Sequence, residues 1–262
     1  MNQKTLKKAV NFSGNGIHTG LAVKMSVSPA TIDSGIIFSC QGKRIRATIE
    51  NVTDGRLATK IGEIIQAEHF LAATNSLGLS NLEVELSEKE FPILDGSCLP
   101  FLGELESAGI EEQERELSPI VLKNSIKIEY KDMSIEAFPF DSLEIDFMVD
   151  YHIVGRQNFR LFWDYSYFKK EIAPARTFGF LEQIEELRKA GRGRGASLEN
   201  ALVISNQGYA NEPRFDNEPV RHKILDLVGD LTLLGRPLLA KIIARKSGHS
   251  LHHELVRRIL NA

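Results

Sequence analysis

Four polar side chains recur along one stretch of this chain: His222, Lys223, Asp226 and Asp230. In a helix His222, Asp226 and Asp230 fall at about 0°, 40° and 80° around the axis, with Lys223 near 100°. Ile224, Leu225, Leu227, Val228 and Leu231 fill the opposite arc, and Gly229 flanks the polar stripe and leaves room above it. A narrow face with His and Asp four apart can chelate one ion, as two His four apart chelate zinc on metalloprotease helices. The alternative is a solvent-facing stripe of charges, and His-x-x-x-Asp alone does not separate the two.

Glu68-His69, between Ala67 and Phe70, is a second such piece. Adjacent Glu and His can serve one metal centre if the imidazole binds the ion and the carboxylate contacts the water there. The alternative is an ordinary charged pair on a helix surface. Other histidine patterns read as decoys. His253-Glu254 begins a HExxH motif that fails at Arg257, and His249 follows a Ser247-Gly248 turn, so His249 and His253 need not share a helix. GNGIHTG at 14–20 has its third Gly one position late for a dinucleotide loop and lacks the acidic partner, so a tight structural turn is expected. His152 takes a structural role by default.

Elements must position these groups. The chain has 262 residues, 42% of them apolar, which is enough for a core in one large domain or two ordinary ones. With 32 basic and 35 acidic side chains, the net charge of −3 argues against a dedicated nucleic-acid binder. No apolar run is long enough to span a membrane. The basic start MNQKTLKKAV has no apolar core behind it, so secretion is not expected. Cys40 and Cys98 are too few for a disulfide framework or a four-Cys zinc site, which leaves His and carboxylates as metal ligands and a reducing cytoplasm as the default.

Alternation and β-branched content predict strands at 23–27, 35–39, 43–49, 82–86, 126–130, 134–138 and 144–151. Helices are predicted at 62–77, 101–108, 178–190, 220–234 and 250–260. The charged segment 111–119 is the candidate boundary between domains 1–115 and 120–262, with a solvated loop inside one domain as the alternative. Each half reads as strands and then helix without regular βαβ alternation. This favours an α+β fold with helices packed on antiparallel-rich sheets.

Taken together, GNGIHTG at 14–20, AEHFLAAT at 67–74, FPILDGSCLPF at 91–101, ARTFGF at 175–180, RHKILDLVGDLTLLG at 221–235 and KSGH at 246–249 carry a resemblance. In this order, and over nearly the whole chain, they resemble the UDP-3-O-acyl-N-acetylglucosamine deacetylases, zinc amidases of the committed step of lipid A synthesis in Gram-negative bacteria. The resemblance implies two α+β domains of similar architecture, helices sandwiched between the sheets and an active site between the domains. It implies hydrolysis of the acetamide of UDP-3-O-(3-hydroxyacyl)-N-acetylglucosamine to the free amine and acetate.

Carried onto matching positions, His69, His222 and Asp226 would bind one Zn2+. Glu68 would be the general base, Lys223 would position water and intermediate, and Thr177 would sit at the developing oxyanion. His249 would be the general acid, with Asp230 orienting it. Three protein ligands leave an open position for water, whose pKa zinc lowers from about 15.7 to about 7. An insert at about 179–207 would house the acyl chain, with Phe178, Ile184, Leu198 and Val203 as wall residues; plain core packing is the alternative for each. Lys246 matches a diphosphate contact and Tyr151 an aromatic that stacks on uracil.

The chain departs from the family at the basic GRGRG of 191–195, at Gln66 where many members have Thr or Ser, a change expected to be neutral, and at His252-His253. A monomer is expected, with no nucleic-acid partner or transmembrane segment, and the acylated product suggests transient contact with the inner leaflet. Two other readings remain: a metal-free hydrolase using Ser247, His249 and Asp230, and an inactive nucleotide-sugar-binding homologue. The complete Glu, His, Lys and Asp set argues against the second.

Overall fold

Period-two burial along the strands builds two mixed sheets, one in each half of the chain. The computed structural model describes residues 1–55 and 57–262. The first sheet runs in the order Val10–Asn15, Ala22–Pro29, Leu82–Leu86, Ile36–Cys40 and Lys43–Arg46. The second runs Ile126–Tyr130, Met133–Pro139, Leu238–Arg245, Leu143–Tyr151 and Gly155–Phe162, with Ile120–Val121 beside Leu238–Arg245. Each sheet has a parallel join: Ile36–Cys40 with Leu82–Leu86, and Leu143–Tyr151 with Leu238–Arg245. A buried apolar cluster continues from Leu6 in the first half to Ile259 in the second. This is the expected α+β class.

The helices are α1 (Glu68–Leu77), α2 (Leu99–Ser107), α3 (Tyr165–Glu171), α4 (Ile184–Lys189), α5 (Glu218–Leu231) and α6 (His249–Leu260). Pro219 lies in the first turn of α5, where its missing N–H has no helical partner to lose. Behind it Val220, Ile224, Leu225, Leu227 and Val228 are fully buried. Gly229 sets how closely α5 meets α1. A Cβ there would lie 2.1 Å from the Glu68 carbonyl oxygen and 2.8 Å from its carbon, backbone atoms that cannot rotate aside. The room that the sequence left above the stripe is filled by the start of α1. Gly229→Ala should cost about 1–3 kcal/mol of overpacking and displace Glu68, visible as a lower Tm together with reduced turnover. A variant with wild-type Tm and turnover would contradict this packing account.

Several expected elements differ. The helix expected over 62–77 begins only at Glu68. Gly62 and Gln66 have left-handed φ values of 58° and 67°, and Ile64 and Ile65 form bridges to Ile61 and Glu90 instead of a helical face. The strand expected over 43–49 stops at Arg46 and is followed by a single 3-10 turn at Ile49–Asn51. The helix expected over 178–190 is a strand, Phe178–Phe180, then a 3-10 turn and α4. The charged segment at 111–119 supplies most of a strand, Ile110–Glu116, which pairs antiparallel with Asn2–Leu6. Gly155–Phe162, Leu238–Arg245 and α3 were not foreseen. Apolar runs such as LLAKIIAR do not choose between helix and strand by period alone.

Candidate active site

Three helix faces converge on one buried polar cluster. The start of α1 supplies Glu68 and His69, α5 supplies His222, Lys223, Asp226 and Asp230, and the first turns of α6 supply His249, His252 and His253. Asp226 is 3% exposed and Asp230 fully buried, so the stripe on α5 is not a solvent face. Glu68 and His69 are equally sequestered. Ionic groups persist in such a place only when paired, hydrogen-bonded or bound to a metal.

His69, His222 and Asp226 present ligand atoms to one point. Asp226 Oδ1 lies 3.2 Å from His222 Nε2 and 3.8 Å from His69 Nε2. Ligands at about 2.0–2.1 Å from a tetrahedral ion stand about 3.3 Å apart, so the set fits zinc. His222 Nδ1 lies 3.1 Å from the Ala175 carbonyl, which can only accept, so Nδ1 carries the proton and Nε2 keeps its lone pair. Among the described residues Asp226 Oδ1 is buried without a hydrogen-bond partner, an expensive state that a cation would relieve. Burial and the neighbouring His222 push His69 down to about 3, which keeps it neutral as a ligand must be. Two other groups could chelate: Glu68 with Asp226 and His249, and Asp230 with His249 and His253. In the latter both Asp230 oxygens are already hydrogen-bonded.

Glu68 is held on both oxygens. The Thr59 backbone N–H donates to Oε2 at 3.0 Å and the Gln66 amide donates to Oε1 at 3.1 Å. Burial, with added repulsion from Asp226 and Asp230 and against the attraction of His249, raises its carboxyl to about 7. Lys223 Nζ donates to Asp226 Oδ2 at 2.6 Å. Burial alone would lower this ammonium, but Asp226 holds it above the usual lysine range.

Asp230 is the hub of α6. Its Oδ2 lies 2.7 Å from His249 Nδ1 and 2.8 Å from His252 Nδ1, and its Oδ1 lies 3.2 Å from His253 Nε2. Burial acts to lower His249, but the charge and hydrogen bond of Asp230 win and raise it to about 9. His249 Nε2 then faces Glu68 Oε1 at 3.8 Å and Asp226 Oδ2 at 3.7 Å. A cationic imidazole therefore points at Glu68 and at the candidate metal-binding set. Burial lowers His252 to about 4, so it stays neutral. The sequence left open whether His249 and His253 share a helix; they do, and His252 and His253, unassigned from the sequence, both contact Asp230.

The ARTF segment is clamped to α5. The Arg176 N–H and Nε donate to Glu218 Oε1 at 2.8 and 2.9 Å, both residues being buried. Thr177 is fixed by its backbone, with N–H to the Gly96 carbonyl at 2.7 Å and its own carbonyl accepting from Leu202 at 2.8 Å. The next residue, Phe178, packs edge-on against His222 with ring centres 6.0 Å apart and against Tyr151 at 5.5 Å. Tyr151 also meets Phe180 at 5.3 Å, so these aromatic rings adjoin the candidate metal-binding set.

The other expected substrate residues are less gathered. Ile184 is half-buried on α4, Val203 half-buried in the strand Leu202–Ser205, and Leu198 is 56% exposed. Lys246 pairs with Asp132 at 3.2 Å and Asp150 at 3.6 Å. Ser247 meets His252 at 3.1 Å rather than His249, and it is 4% exposed, which leaves the metal-free set without an accessible nucleophile next to His249. GNGIHTG is the expected tight turn. Glu90 accepts from the His18 and Thr19 N–H groups at 2.7 and 2.9 Å, and a Cβ on Gly16 would strike Glu90 Oε2 at 2.1 Å. The GRGRG segment docks on this turn through Arg194 N–H to the His18 carbonyl and Gly195 N–H to the Ile17 carbonyl, at 3.1 and 3.0 Å.

Sequence reasoning missed Thr59, Gln66, His252, His253 and Glu218. Gln66, noted above only as a departure from the family, bonds the candidate base and lies 3.4 Å from His69 Nε2. The i, i+3 and i, i+4 spacing of His249, His252 and His253 was the available signal. Thr59 gave none, since its neighbours come from distant segments.

Comparison with known proteins bears on this geometry. A family model described as UDP-3-O-acyl N-acetylglycosamine deacetylase matches residues 3–261. A protein of Syntrophotalea carbinolica named UDP-3-O-acyl-N-acetylglucosamine deacetylase is 40% identical over 270 residues, covering 98% of this chain and 87% of its own length. Proteins of the same name from Leptospira biflexa and Myxococcus xanthus are each 38% identical, over 273 and 272 residues, covering 90% and 87% of their own lengths.

Proposed function

The chain belongs to the UDP-3-O-acyl N-acetylglycosamine deacetylase family, and we propose that it hydrolyses the acetamide of UDP-3-O-acyl-N-acetylglucosamine with one zinc ion held by His69, His222 and Asp226. It is a deacetylase acting on the UDP-sugar of lipid A biosynthesis. The observation that carries the metal reading is the buried His/His/Asp set whose Asp226 Oδ1 has no hydrogen-bond partner among the described residues.

When bound, zinc supplies Lewis acidity that polarises a carbonyl oxygen and eases deprotonation of water. Glu68, raised toward neutrality, takes the proton of the attacking water. The Lys223 ammonium and the Thr177 hydroxyl stabilise the negative charge that develops on the carbonyl oxygen. His249, kept cationic by Asp230, protonates the amine as the C–N bond breaks. Phe178 and Tyr151 form the apolar side of the pocket, and the insert at about 179–207, with Ile184, Leu198 and Val203, takes the acyl chain. Lys246 would meet the diphosphate by leaving Asp132 and Asp150. No described helix is long and apolar enough to cross a membrane. We place the enzyme in the cytoplasm as a monomer of two domains, 1–115 and 120–262, touching the inner leaflet only transiently.

Release of free amine from UDP-3-O-acyl-N-acetylglucosamine, lost on chelation and restored by zinc, tests this reading. Its pH dependence follows from the two charged groups. Glu68 accepts a proton only when ionised, above about 7, and His249 donates only when protonated, below about 9. kcat/KM should therefore rise through the first value, fall through the second and peak between them. Turnover that is insensitive to chelator, or a profile flat across pH 6–10, would reject the proposed mechanism.

A further inference from the structure

Thr59 belongs to neither the proposed metal set nor the charged pairs, yet it hydrogen-bonds to both Glu68 and Asp230. It lies at the end of the loop between Val52–Asp54 and Lys60–Ile61, two short strands that pair antiparallel. Its backbone N–H donates to Glu68 Oε2 at 3.0 Å, and its carbonyl accepts from Ala67 at 3.4 Å. Its hydroxyl donates to Asp230 Oδ1 and sits 3.2 Å from His249 Nδ1 and 3.0 Å from His253 Nε2. The side chain is fully buried.

We propose that Thr59 is a positioning residue for the deacetylation, joining the base at Glu68 to the acid at His249 through one peptide N–H and one hydroxyl. The inference rests on the roles proposed above for Glu68 and His249. A threonine suits the position because one hydroxyl both donates and accepts. It donates to Asp230 and can accept from His253, which fixes the carboxylate whose other oxygen orients His249. Without the hydroxyl, Asp230 Oδ1 keeps only His253 among the described residues, and the carboxylate can turn away from His249.

The loop is itself pinned to α6. Ser250 Oγ donates to the Gly55 carbonyl at 3.1 Å, and a Cβ on Gly55 would approach His253 Nδ1 to 2.5 Å. Thus a segment of the first half reaches the acid's helix in the second, and it carries the base's hydrogen bond with it. Alignment of two proton-transfer groups from separate segments is the kind of geometry that catalysis depends on to fractions of an ångström.

Thr59→Val replaces the hydroxyl by a methyl group of similar shape and keeps the backbone N–H on Glu68. Its kcat should fall about 10–100-fold, with KM for the UDP-sugar within about twofold and zinc content unchanged. Thr59→Ser, which restores the hydroxyl, should recover most of the loss. Glu68→Gln and His249→Asn serve as controls in the same assay. If both controls are inactive while Thr59→Val keeps wild-type kcat, the inference is overturned and the roles of Glu68 and His249 stand. If the controls stay active, those roles fall and the inference with them. A kcat loss that Ser does not restore, or one that tracks lost zinc or lost Tm, also overturns it. Should Thr59→Val not fold, Thr59→Ala is read by the same outcomes.

Discussion

Glu68→Gln should lower kcat by about 10²–10⁴-fold while KM and bound zinc stay near their wild-type values. The amide fills the same space and can still accept from the Thr59 N–H, but it cannot take a proton. Glu68 is not one of the three residues proposed to hold zinc, so metal content separates loss of the base from loss of the site. The carboxyl is buried and raised to about 7, so its charge is a cost to the fold near neutral pH. The Gln variant should therefore melt no lower than the parent, the usual trade between stability and a tuned catalytic group. Retention of half the parent's turnover would remove Glu68 from the mechanism. His249→Asn should behave alike, keeping zinc and losing turnover. If it emptied the metal site instead, the division between ligand and acid would be wrong.

Loss of a metal ligand should be more complete, and the two kinds of ligand should differ. His69→Ala removes a neutral imidazole whose Nδ1 has no hydrogen-bond partner among the described residues. Zinc stoichiometry should drop toward zero with only the modest destabilisation of a buried truncation. Asp226→Ala removes another of the proposed ligands and also the counter-charge of Lys223, whose ammonium donates to Asp226 at 2.6 Å. Stripping one partner from a buried pair costs about 3–5 kcal/mol, so this variant should lose zinc and melt well below His69→Ala. Metal analysis by mass spectrometry beside thermal melts reads both effects. Equal Tm values for the two variants would show that Lys223 finds another partner. Full zinc in either would exclude that residue as a ligand.

Much of the site was legible along the chain because helical spacing is a local property. His222, Asp226 and Asp230 share a face of α5 for the reason that puts any i, i+4, i+8 set on one face, and Glu68-His69 needed only adjacency. The apolar arc behind them was equally plain, and it is the arc that the core buries. The strands at 82–86, 126–130 and 144–151 announced themselves by alternation, and each forms. The start of α1 was not legible. Ile64 and Ile65 have the right type for a helix, but the left-handed backbone at Gly62 and Gln66 turns them into bridge partners.

By itself the sequence determined which residue types the chemistry would use, which of them share a helix face, and which family the motifs resemble. It left open whether the stripe on α5 met water or protein, because periodicity is the same in both cases. Only the packing of α1 against α5, through the missing Cβ of Gly229, decided that the charges are buried and therefore shifted in pKa. The contacts of Thr59 and His253 with Asp230 likewise belong to tertiary structure alone. Thr59 and Asp230 are 171 positions apart, and no local rule of spacing reaches that far. What joins them is the closing of a first-half loop onto a second-half helix, a consequence of the two halves burying a common core.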